Sequence, residues 1–116
     1  MNQAQPRAGE ALCLVDALTE TGARGFVFRE GEARFAGFIV AQGESVRGYL
    51  DRCPHAGLPL AWTEHDYLNR ARDLIICASH GALFRPEDGA CIAGPCAGRT
   101  LTPWPVRVEC GVVVTA

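Results

Sequence analysis

No stretch of this 116-residue chain comes near the roughly twenty apolar residues that a helix needs to cross a bilayer, so a membrane-spanning helix is not expected. A basic stripe is missing too. Acids and bases are interspersed at a formal net charge of -2, which leaves nothing to track a phosphate backbone and makes nucleic acid an unexpected partner. No Gly-x-Gly-x-x-Gly run occurs, and with it goes the usual cradle for a dinucleotide. Repeats, low-complexity tracts and interior linkers are absent, and at 48% hydrophobic content the length suits one compact domain over residues 1–116. Residues 1–10 are polar, are broken by Pro6 and Gly9, and lack the apolar core of an export signal. A soluble, cytoplasmic protein is the expectation. Histidine is scarce, at three residues, so a site that needs several imidazoles must draw on nearly all of them.

Cysteine, by contrast, is plentiful. Six are present, and without an export signal they are read as thiols or ligands rather than disulfides. Cys13 lies in the apolar run Ala11 to Val15 and reads as a small core residue. Cys110 precedes Gly111 between two Val-rich runs, which places it in a turn and exposed. Cys91 and Cys96 flank Gly94-Pro95, and for them a redox-active pair stands beside ordinary packing.

The other two cysteines each come with a histidine, in Cys53-Pro54-His55 and in Cys77-Ala78-Ser79-His80-Gly81. Each pair offers one thiolate and one imidazole from a single loop. Pro54 and Gly57 limit the first loop to a sharp turn, and Gly81 does the same after His80. Such a set suits a cluster whose two metal positions differ in chemistry. Two Cys and two His also suit tetrahedral zinc, although zinc fingers usually pair Cys with Cys and His with His.

The blocks Cys53-Pro54-His55-Ala56-Gly57-Leu58-Pro59-Leu60 and Cys77-Ala78-Ser79-His80-Gly81-Ala82-Leu83-Phe84, followed by Gly94-Pro95, resemble the Rieske iron-sulfur family across roughly residues 37–114. The resemblance implies one [2Fe-2S] cluster per chain, with Cys53 and Cys77 on the inner iron and His55 and His80 on the outer one. It implies a third loop at Gly94-Pro95 covering a cluster-binding region of about 52–98, and Leu58, Pro59, Leu60 and Pro95 shielding it from water. The implied fold is all-β, a sandwich-like antiparallel base carrying a small subdomain with the two ligand loops.

Alternation and turn residues are consistent with that fold. Strands are expected at Gly25 to Arg29, Phe35 to Ala41 and Val46 to Arg52, the last delivering Cys53. A hairpin from Tyr67-Leu68 to Leu74-Ile75-Ile76 should feed Cys77, and a second one around Pro86-Glu87-Asp88-Gly89 should brace that loop. Val106 to Glu109 and Val112 to Val114 read as a closing hairpin, and Pro103 and Pro105 confine Trp104 to an edge or entry position.

Members of the family from quinol-oxidising complexes typically carry two further Cys that bridge the ligand loops, and hydroxyls beside the cluster. Here those positions correspond to Leu58 and Ser79, and to Ala82 and Phe84, so the resemblance implies the ferredoxin-type branch and a potential low in the range of about -150 to +300 mV. Oxygen activation would require a second iron on two His and a carboxylate, and only His65 remains. His65, between Glu64 and Asp66, reads as a solvated surface residue. The expected role is therefore a one-electron carrier between a reductase and an oxygenase or other redox enzyme, as a monomer or weak oligomer. A redox-sensing regulatory module is the alternative.

Overall fold

The computed structural model describes residues 3–43, 45–54, 57, 59–61, 65–78 and 81–116. Among them run nine strands: β1 (Ala11–Leu14), β2 (Ala23–Glu30), β3 (Ala33–Gln42), β4 (Ser45–Leu50), β5 (Ile75–Ile76), β6 (Leu83–Phe84), β7 (Cys91–Ala93), β8 (Val106–Glu109) and β9 (Val112–Thr115). They form three antiparallel sheets of three strands, ordered β1-β9-β8, β2-β3-β4 and β5-β6-β7. Between β1 and β2 lie a 3-10 turn at Val15–Ala17 and the single-turn helix α1 (Leu18–Thr21). Four residues are too few for a helical repeat to show in the sequence, and this element was not expected there. No helix among the described residues is long and apolar enough to cross a membrane.

Strand β3 is the structural centre. Successive side chains of a strand point to opposite faces, and here both faces are covered, so β3 is buried from Gly37 through Val40. Phe38 and Val40 enter one core with Tyr49, Tyr67, Ile75 and Phe84. Phe35 and Ile39 enter a second core with Leu18, Trp104 and Val113. The first core is the floor of the ligand loops, and the Phe38 and Tyr67 rings stack on it at 4.2 Å, 4° from parallel.

Trp104 fills the second core. Its ring packs edge-on against Phe35 at 5.2 Å and Phe26 at 6.2 Å. Gly37 makes the room, since a Cβ there would sit 2.5 Å from the indole. The Trp104 backbone N–H donates to the Gly48 carbonyl at 2.8 Å, and Pro103 bridges to Tyr49, so this segment lies at an edge as expected while its side chain closes the core. The closing hairpin also forms as expected. Cys110 and Gly111 have φ of 49° and 78°, the pair of left-handed residues that a type I′ turn requires, and Cys110 is exposed.

Two expected strands are shorter than the sequence suggested. β4 stops at Leu50 instead of Arg52, because Asp51 turns its carboxylate toward the first ligand loop. Tyr67-Leu68 contributes only a bridge from Leu68 to Ile75. The reason is Asn69, whose side-chain oxygen accepts from the Asp73 and Leu74 backbone N–H groups at 3.1 and 3.2 Å and winds residues 69–74 into a loop. Residues before β1 pack rather than trail. The buried Thr115 hydroxyl donates to the Arg7 carbonyl at 2.5 Å and accepts from the Glu10 N–H at 2.8 Å.

Candidate metal centre

Cys53 and Cys77 are both fully buried and share the first core. Each begins a loop of the same build. The Gly57 N–H donates to the Cys53 carbonyl at 2.7 Å, and the Gly81 N–H donates to the Cys77 carbonyl at 2.8 Å. Both glycines have a φ of 71°, a left-handed conformation that costs an ordinary side chain about 1–2 kcal/mol. Each loop is therefore closed onto its cysteine from the fourth residue after it. His55, Ala56, Leu58, Ser79 and His80 lie outside the described residues, and with them the expected imidazole positions and the Leu58 and Ser79 positions.

Neighbouring groups fasten the turns. Asp51 Oδ1 accepts from the Leu60 N–H and Oδ2 from the Tyr67 hydroxyl, both at 2.8 Å, so one carboxylate ties the two ends of the first loop to the stacked ring below. The Ala78 N–H donates to the Leu60 carbonyl at 2.7 Å, which joins the second loop to the end of the first. The Cys77 N–H donates to the Ala82 carbonyl at 2.9 Å and closes the base of the second loop.

The third loop, from Gly94 to Arg99, lies against both. Gly94 (φ 95°) comes so near the second loop that a Cβ would stand 2.8 Å from Ala82 Cα. Arg99 Nη1 donates to the Pro54 carbonyl at 2.7 Å, beside Cys53. Between these anchors Cys96 is fully buried, and its Sγ stands 3.5 Å from Cys53 Sγ. Cys91 turns elsewhere and donates to the Ala93 carbonyl at 3.2 Å. Of the two readings for Cys91 and Cys96, the redox-active pair gives way to separate partners, with Cys96 against a candidate ligand. None of the six cysteines is joined in a disulfide, and burial pushes the half-buried Cys13 thiol up.

Not every expected shielding residue is buried. Leu60 is fully buried, whereas Pro59 and Pro95 are exposed. His65 corrects a second expectation. It is partly buried at a φ of 68°, and its Nδ1 accepts from the Gly25 N–H at 2.9 Å, which ties its loop to β2. Asp51, His65 and Arg99 are fastening residues whose roles sequence reasoning missed, since their partners are distant in the chain.

Among the described residues no group of three or more His, Cys, Asp or Glu is gathered as if for a metal ion. The donor chemistry nonetheless fits an iron-sulfur cluster. Two buried sulfurs on matched turns provide the soft thiolates such a cluster prefers, in a water-poor pocket floored by apolar side chains.

The architecture matches solved structures over most of its length. The ferredoxin of carbazole 1,9a-dioxygenase from Nocardioides aromaticivorans IC177 is 22% identical with a TM-score of 0.68, covering 96% of this chain and 98% of that one. The Sphingomonas yanoikuyae B1 ferredoxin is 22% identical with a TM-score of 0.65, covering 90% and 94%. A chain from the complex of reduced oxygenase and oxidised ferredoxin in carbazole 1,9a-dioxygenase is 24% identical with a TM-score of 0.70, covering 91% and 90%. At these identities the likeness establishes the fold. Comparison with curated proteins gives no match. The family model of the Rieske [2Fe-2S] domain matches residues 11–110, and the chain belongs to that family.

Proposed function

We propose that Cys53, His55, Cys77 and His80 hold the [2Fe-2S] cluster and that the chain, as a single domain, carries electrons one at a time from a reductase to a terminal oxygenase in the cytoplasm. The observation that carries this reading is the pair of matched turns, which sets two buried thiols against one core under a common third loop. When bound, the cluster takes up one electron and gives it back. The surrounding residues hold the two thiols at a fixed spacing and exclude water from them. Leu60, Phe84 and Ile75 supply the dry floor, and Asp51 and Arg99 fasten the loops from either side.

The partner reading rests on two solved structures named above, one of them a ferredoxin of a dioxygenase and the other a complex of an oxygenase with its ferredoxin. Pro59 and Pro95, exposed with Gly57 and Gly94 on the first and third loops, are the apolar side chains we assign to a contact surface of the small kind that transient redox encounters use, below about 1,200 Å² in total.

Cys53→Ala and Cys77→Ala test the ligand set. Each should fold without colour and lose the reversible one-electron response in voltammetry, because a missing thiolate leaves an iron under-coordinated. Retention of both sulfide and the couple in either variant overturns the assignment. Wild-type protein, reduced and mixed with a Rieske oxygenase, should be reoxidised rapidly. Slow exchange with redox-dependent binding to a partner would instead favour the regulatory reading.

A further inference from the structure

We infer that the thiol of Cys96 donates a hydrogen bond to the sulfur of Cys53 and thereby raises the reduction potential of the site. The inference rests on the ligand reading above. In the structure the two sulfurs stand 3.5 Å apart, both fully buried, and either could be the donor. As an iron ligand Cys53 is a thiolate and has no proton to give. The only S–H in the pair then belongs to Cys96, which must be the donor.

The contact is held by its surroundings. Gly94 packs against the second ligand loop, the Arg99 N–H donates to the Cys96 carbonyl at 2.8 Å, and the Arg99 guanidinium reaches the Pro54 carbonyl at 2.7 Å. These bonds attach the third loop to the residue next to Cys53. A thiol is a weak donor in water, but inside a water-poor core its attraction to a negative sulfur is less screened. A hydrogen bond to a cluster sulfur stabilises the state with more negative charge, which is the reduced one. Ala82 and Phe84 offer no hydroxyl on the second loop, so a thiol on the third loop would partly supply what they lack.

The test is the midpoint potential of Cys96→Ala, Cys96→Ser and Cys91→Ala, each first shown by electron paramagnetic resonance to hold the cluster. Alanine should lower the potential, shifting the reduced-to-oxidised ratio at fixed potential by up to about tenfold, equivalent to ~59 mV for one electron. Serine keeps a donor and should stay at or above the wild-type value. Cys91→Ala should leave the potential unchanged, since that thiol points to Ala93. An unshifted Cys96→Ala, or alanine and serine variants that fall together, overturns the inference while leaving the ligand assignment intact. Absence of the cluster signal from the wild type overturns both.

Discussion

The Tyr49 hydroxyl lies inside the molecule and donates to the Pro86 carbonyl at 2.6 Å. Burial pushes this phenol up from its ordinary value near 10 to about 12, with Asp88 and Glu87 adding to the rise and Arg47 opposing it. An unfolded chain therefore releases this proton before the folded one does. The stabilisation is complete below about pH 10 and is lost as pH rises toward 12. Tyr49→Phe should cost about 1 kcal/mol at neutral pH through the lost hydrogen bond. It should also flatten the decline of stability between pH 10 and 12, measured by urea unfolding. A variant that declines as steeply as wild type contradicts this account of Tyr49.

Single elements separate two reasons for a glycine. At Gly81 the requirement is conformational, since φ is 71° and a Cβ would meet no described atom within 4 Å. At Gly94 the requirement is also spatial, because the obstacle is the Ala82 backbone, which has no flexible end to move. Gly81→Ala should therefore cost about 1–2 kcal/mol and keep the cluster. Gly94→Ala should cost more and also loosen the third loop, seen as faster loss of iron to a chelator. Equal losses from the two variants would show that the third loop is not packed as described.

The same contrast explains what was legible in the sequence. Cys53 and Cys77 stood out as candidates because metal chemistry admits few residue types, and the hairpins were readable because turns demand particular dihedrals. Asp51 and Arg99 were not. An exposed-looking Asp or Arg carries no mark of a partner many residues away, and the Cys53–Cys96 contact arises only when the third loop folds onto the first. The loop that replaced the expected strand at Tyr67-Leu68 depends on one Asn side chain competing with the ladder for backbone N–H groups. Trp104 was placed correctly along the chain, but its role needed Gly37 beneath it on another strand.

At the scale of the whole molecule, two cores share β3, and only one contains Cys53 and Cys77. The core around Trp104, Phe35 and Val113 is built from β1 to β4, β8 and β9 and owes nothing to a metal. Removing iron with a chelator under reducing conditions should therefore lower the melting temperature, because a ligand bound only to the folded state stabilises it. The β-sheet circular dichroism at room temperature should remain. Complete unfolding on iron removal would mean that the two cores are not separable in this way. The central claim is more direct: four residues on two matched loops hold one iron-sulfur cluster. Electron paramagnetic resonance of the reduced protein, combined with iron, sulfide and zinc analysis, tests it. The account predicts a Rieske-type signal with two irons and two sulfides per chain; stoichiometric zinc without sulfide would contradict it.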